Sequence, residues 1–140
     1  MSEYQTFHVG INVIVSRKGS ILLGKRKHVF GSGTWGLPGG HLETRETMVG
    51  AASRELREET GLIAKNLEFS SLFNNCKKNE GHYLQIAFTA KDVIGEPKVV
   101  ETDRCFEWRW FKLNKLPKEL FKPHIQLIEN YFSKRNFKDE

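Results

Sequence analysis

Glu55, Glu58 and Glu59 stand at spacings i, i+3 and i+4 in a segment, residues 46–60, that reads as a helix. Gly61 suits the C-terminal stop of that helix. On a helix these spacings bring three carboxylates to one face. Like charges side by side repel, so the cluster is most easily kept when something positive sits among them, and the usual candidate is a divalent cation. Val49, Ala52 and Leu56 form an apolar stripe roughly a quarter-turn away. One side of the helix is thus expected to pack while the adjacent side carries chemistry. On spacing alone, a solvated acidic face explains the three glutamates equally well.

The rest of the chain supplies strands. Phe7, Val9, Ile11, Val13 and Val15 alternate with their neighbours as in a strand, and residues 17–20 (Arg-Lys-Gly-Ser) make a turn. Ile21-Leu22-Leu23 begins a second strand that runs into Lys25-Arg26-Lys27. Gly31, Gly33, Gly36, Gly39 and Gly40, with Pro38, mark a loop. Strand-like runs follow near residues 67–72, 82–90 and 107–111. Phe121, Ile125, Ile128 and Phe132 fall on one face of a final helix. Strands before, between and after two helices predict an α/β chain with a mixed sheet between helices. No linker splits residues 1–140, so one domain is expected, with a polar, frayed tail at 134–140.

Length and charge limit the function. A chain of 140 residues, 39% hydrophobic, is large enough for a real core. A net charge of +5 favours anionic partners without choosing among nucleotides, RNA and phosphorylated metabolites. A carboxylate site needs a metal before it can accept such an anion. Cys76 and Cys105 lack paired metal-ligand spacing and read as free thiols. There is no run of ~18 apolar residues and no signal-like start, so a soluble, cytoplasmic protein is expected. Lys25 and Lys27 share one face of a strand and Arg26 takes the other. Glu101 and Glu80 are further carboxylates outside the helix.

Residues 40–62 read GHLETRETMVGAASRELREETGL. They match every fixed position of the pattern GX5EX7REUXEEXGU, in which U is a bulky aliphatic residue. The chain therefore resembles the Nudix hydrolases, and nine fixed positions over 23 residues make chance agreement negligible. Residues 22–27 and 37–43, His82-Tyr83, Glu101, Trp108-x-Trp110-Phe111 and Leu116-Pro117 extend the similarity to the MutT-like branch. That branch includes diphosphatases acting on 8-oxo-dGTP and other nucleoside triphosphates.

The resemblance implies the Nudix α/β/α sandwich and a Mg²⁺ cofactor, with Mn²⁺ as a substitute. It assigns Glu55, Glu58, Glu59 and the Gly40 carbonyl to the metal, Arg54 to orienting the carboxylates, and Glu46 to a supporting role. Lys25, Arg26 or Lys27, and Gly39, become candidates for substrate phosphates. Gln85, where relatives often carry Thr or Ser, offers a donor and an acceptor to a base edge. Lys122 replaces a Trp that helps wall the base pocket in relatives, so base preference does not transfer. Arg45 stands where relatives often carry Gly, and costs about 1 kcal/mol if that position needs positive φ.

The expected reaction converts a nucleoside triphosphate, an oxidised purine nucleotide included, to the monophosphate and pyrophosphate. The alternatives are another diphosphate (a nucleotide sugar, an isoprenyl diphosphate or the 5′ end of RNA) or a catalytically silent nucleotide-sensing module. Silent modules usually lose carboxylates of this motif, and this chain retains all of them. A homodimer is compatible with the resemblance.

Overall fold

The computed structural model describes residues 6–77 and 81–140. In chain order the elements are β1 (His8–Arg17), β2 (Ser20–Arg26), β3 (Trp35–Gly36), β4 (Gly39–His41), α1 (Met48–Thr60), β5 (Ile63–Ala64) and β6 (Leu67–Asn75). They continue with β7 (Tyr83–Ala90), β8 (Val93–Ile94), β9 (Cys105–Lys112), α2 (Lys122–Ser133) and β10 (Phe137–Lys138). The main sheet runs β10-β6-β7-β1-β2-β3, with β4 also on β1 and β9 also on β2. β1 lies parallel to β7 and antiparallel to β2 and β4, so the sheet is mixed. No helix among the described residues is long and apolar enough to cross a membrane.

β1 sits at the centre. Successive strand side chains point to opposite faces, so Ile11, Val13 and Val15 share one face and Ile14 takes the other. The first set packs with Ala51, Ala52 and Leu56 of α1. Ile14 joins Leu127 and Ile128 of α2. The two helices therefore cover opposite faces, which makes the α/β/α sandwich. Each fully buried Leu or Ile contributes roughly 1.5–3 kcal/mol. Covered on both faces, β1 is buried continuously from Gly10 to Val15.

β1 and β2 are joined by Lys18 and Gly19, both at positive φ, as a tight hairpin twisted with its strands requires. They pair only at Ser16–Ile21 and Arg17–Ser20 and then part. β4 takes the place beside β1 at Gly10, Ile11 and Asn12, while β3 and β9 follow β2. The fork between β1 and β2 is where the cavity described below opens. β3 also holds the start of α2. Trp35 donates its backbone N–H to Glu119 at 2.8 Å, and its carbonyl accepts from Phe121 at 2.7 Å.

Several local expectations change. α1 begins at Met48, because Thr47 caps it by accepting the Gly50 N–H at 3.0 Å; Glu46 lies before the helix. Gly61 ends α1 at φ +79, as the sequence predicted. Val49 is 49% exposed, and Ala51 takes its place in the packed stripe. On α2 the buried face is Pro123, His124, Leu127, Ile128 and Asn130, leaving Phe132 exposed. The hydrophobic count placed that face one residue off because a buried histidine counts as polar. Residues 134–140 are not a frayed tail: Phe137 and Lys138 pair with Leu72 and Phe73 of β6. Asn74 Nδ2 also donates to Asp139 Oδ1 at 2.9 Å. Main-chain hydrogen bonds to a sheet edge need no apolar pattern, so the sequence carried no signal for them.

Arg45 has φ +64. Arg45→Gly should therefore raise stability by about 1 kcal/mol, read as a higher midpoint in equilibrium denaturation. An unchanged or lower midpoint would mean that the left-handed backbone costs this arginine nothing.

Candidate active site

A cavity of about 580 Å³ opens in the fork between β1 and β2. Its wall includes Gly10 and Asn12 from β1, Gly24 and Arg26 from β2, and Gly39, Gly40 and His41 from β4. α1 contributes Arg54, Glu55, Glu58 and Glu59, and Phe121, Pro123 and His124 close the far side. Gln85 and Glu101 also line it, whereas Lys25 and Lys122 do not. Strand parity explains Lys25, whose ammonium lies over Phe106 on the other face of β2. Lys122 is exposed while its neighbours on either side reach the wall. Glu80 lies outside the described residues.

Arg54 is the hub of the acidic helix. Its guanidinium grips Glu46 twice, with Nε at 2.6 Å and NH2 at 2.9 Å. NH1 reaches Glu55 at 2.8 Å and Glu58 at 3.2 Å, and NH2 donates to the His41 carbonyl at 3.3 Å. This planar fork satisfies three carboxylates at once, which a lysine could not do. The Arg54 hydrogen bond holds the Glu46 carboxyl below the usual glutamate range. The Glu46 and Glu55 hydrogen bonds raise the guanidinium pKa.

Glu59 is placed differently. It forms no salt bridge among the described residues, and one of its oxygens accepts the Gly39 N–H at 3.2 Å. Burial, and then the neighbouring Glu55, push its pKa up to about 8. Burial also raises Glu55, against the opposing effect of Arg54. Two glycines allow this packing. A Cβ at residue 40 would collide with the Glu55 carboxylate, and one at residue 39 with the Ile11 carbonyl.

Among the described residues, no three His, Cys, Asp or Glu side chains stand ready to hold a metal ion by themselves. The oxygens of Glu55 and Glu59 beside Gly40 nevertheless suit a hard divalent cation. Mg²⁺ is commonly held by one or two carboxylates, with waters and substrate phosphates completing its shell. A cation there would favour the ionised form of Glu59, which burial otherwise keeps protonated up to about 8.

Arg26 leaves the strand toward the cavity. Its Nε donates to the Phe30 carbonyl at 2.9 Å and its guanidinium lies 3.8 Å from the Phe121 ring centroid. The base of the fork is polar. Asn12 Nδ2 donates to Gln85 Oε1 at 2.8 Å, and both side chains are buried. Gly10 makes room, since a Cβ there would strike the Gln85 amide. At another edge, His41 Nε2 lies 3.2 Å from Tyr83 Oη, with His8 stacked 5.2 Å from His41. Trp108 seats against Gly24 and donates Nε1–H to the Glu59 carbonyl at 3.2 Å, tying β9 to the end of α1. Cys105 lines the cavity, and burial pushes its thiol up to about 11, well above reactive range.

Sequence reasoning missed Asn12 and His124 as site residues. The available signal was the same in both: a polar residue inside an apolar element.

This arrangement is that of a known family. The NUDIX domain family model matches residues 6–131, so the chain belongs to the Nudix hydrolases. It is 36% identical over 129 residues to an ADP-ribose pyrophosphatase of Methanocaldococcus jannaschii, covering 91% of this chain and 75% of that protein. It is also 36% identical over 106 residues to an oxidized purine nucleoside triphosphate hydrolase of Danio rerio, covering 75% of this chain and 66% of that protein. The crystal structure of a MutT NUDIX hydrolase from Burkholderia pseudomallei superposes with a TM-score of 0.84 at 33% identity, over 90% of this chain and 98% of that one. The fold is the Nudix sandwich, and members of the family generally need a divalent metal.

Proposed function

We propose that the protein is a Mg²⁺-dependent hydrolase that cleaves a nucleoside triphosphate to the monophosphate and pyrophosphate. The observation that carries this is the placing of Glu55 and Glu59, one helical turn apart, against Gly40 and Gly39 in a cavity of nucleotide size. Glu55, Glu59 and the Gly40 carbonyl would hold the metal, with Glu58 available to a further ion and Mn²⁺ a working substitute. When bound, the metal neutralises phosphate oxygens and acidifies water.

The remaining roles fall to the chain itself. Arg54 holds Glu55 and Glu58 in register and is itself anchored by Glu46. The Gly39 N–H fixes the orientation of Glu59. Arg26 offers positive charge to the phosphates, and a cavity carboxylate, Glu58 or Glu101, accepts the proton of the attacking water. Water adds at phosphorus, the bridging P–O bond breaks, and pyrophosphate leaves. Gln85 and Asn12 present amide groups to the substrate at the base of the fork.

A second reading is a nucleoside diphosphate joined to another group, as in ADP-ribose. Two observations favour it: the name of the archaeal relative, and the ring group of His8, His41 and Tyr83 beside the cavity. The deciding experiment measures phosphate and pyrophosphate release, and nucleoside monophosphate formation by chromatography, with and without Mg²⁺. Its panel holds nucleoside triphosphates, 8-oxo-dGTP, ADP-ribose, nucleotide sugars and triphosphorylated RNA. Metal-dependent pyrophosphate release from a nucleotide is the expected result. Cleavage of ADP-ribose with triphosphates inert would establish the second reading. Silence across the panel would leave a nucleotide-sensing module.

A further inference from the structure

His124 is only 5% exposed, yet it sits in the first turn of α2 on the cavity wall. Its Nδ1 accepts the Leu37 backbone N–H at 2.9 Å. A backbone N–H can only donate, so Nδ1 carries no proton and the ring proton belongs on Nε2. Protonating the ring would set two N–H groups against each other. Burial and the nearby Arg26 oppose it as well, holding the imidazole down to about 3. The ring is thus a neutral histidine of one tautomer, with a single N–H in a fixed direction.

Among the described residues nothing accepts that hydrogen. His124 lines the cavity, and its Nε2–H has no protein partner among the described residues. Its surroundings are built around it. The Phe121 ring meets the imidazole edge-on with centroids 4.8 Å apart, and Phe30 meets Phe121 at 5.7 Å. Gly36 leaves the imidazole its place, since a Cβ there would come within 3.1 Å of Nδ1. Phe121 and Arg26 stand beside His124 and bring aromatic surface and positive charge.

We propose that His124 is a specificity-determining residue that donates Nε2–H to an acceptor on the edge of the ligand's base, and so favours an oxo-bearing edge over an amino-bearing one. This rests on the nucleotide reading above. An amino group presented to Nε2–H would place donor against donor in a desolvated pocket, whereas a carbonyl oxygen would complete the bond.

The test compares ITP with ATP, which differ at the purine 6 position as oxo against amino. The wild-type protein should prefer ITP in kcat/KM. His124→Asn keeps an oxygen near the Leu37 N–H, but its amide N–H does not extend to the Nε2 position; it should lose roughly 10-fold on ITP, through KM, and little on ATP. His124→Gln, which returns an amide N–H near the Nε2 position, should recover part of the loss. An ITP/ATP ratio identical in wild type and His124→Asn would overturn the proposal.

A second readout needs neither turnover nor a folded variant. In ¹⁵N-labelled wild-type protein, His124 should show a pyridine-type Nδ1 and a pyrrole-type Nε2, and IMP should shift the Nε2–H resonance. A protonated Nδ1, or an Nε2–H that IMP leaves unmoved, also overturns the proposal even if the enzyme turns over. A shift by IMP in a protein that hydrolyses no nucleotide would sink the hydrolase reading and leave the His124 contact standing.

Discussion

Glu59→Gln should leave the sandwich folded and cut turnover at least ~100-fold with any good substrate. The amide retains an oxygen for the Gly39 N–H, so the local hydrogen bond survives. What it removes is the negative charge that the metal would meet. The substitution has a second signature, in stability. Folded Glu59 holds its proton up to about 8, against 4.5 in an unfolded chain. Between those values the native state binds the extra proton, so metal-free stability falls as pH rises through that window. Adding Mg²⁺ should restore stability at the alkaline end, because a cation stabilises the ionised form. In Glu59→Gln, both the pH slope and the Mg²⁺ response should shrink. Denaturation midpoints across pH, with and without Mg²⁺, check this alongside the assay. Normal turnover would sink the metal assignment.

Arg54→Met is expected to be the next most damaging change. It keeps the length and much of the volume of the side chain but leaves Glu46, Glu55 and Glu58 without their shared cation. Losing a group that orients metal ligands typically costs 10–100-fold in metal affinity or activity. The loss should appear as a raised Mg²⁺ requirement, partly overcome at high Mg²⁺, because the ligands remain while their alignment does not. Glu46 adds a pH test. Its folded pKa is depressed by Arg54, so it contributes stability above the ordinary glutamate value that is lost as pH falls through the folded one. Without Arg54 that contribution disappears, and the acid limb of the stability curve should flatten. An unchanged Mg²⁺ dependence would make Arg54 a structural cation and nothing more.

Much of this was legible before any coordinates. The spacing of Glu55, Glu58 and Glu59 and the stop at Gly61 follow from helix geometry, which is local. The face separation of Lys25 and Arg26 followed from strand parity. Even the cost at Arg45 could be stated conditionally, and its φ supplied the condition. The misses share a cause. Val49 and Phe132 were assigned to packed faces because they are apolar, but whether an apolar side chain is covered depends on what the rest of the chain brings to it.

The sequence by itself determined the acidic helix, the glycines beside it and the family, because each depends on residues close in the chain and on a spacing that admits few alternatives. Tertiary structure alone decided where β1 and β2 part, which polar residues that fork encloses, and how the C-terminal residues join β6. Asn12 meets Gln85, and Leu37 meets His124, across 73 and 87 residues of chain. Hydrogen bonds over such separations leave no periodicity to read, because the folded sheet, not the local backbone, brings the donor to its acceptor.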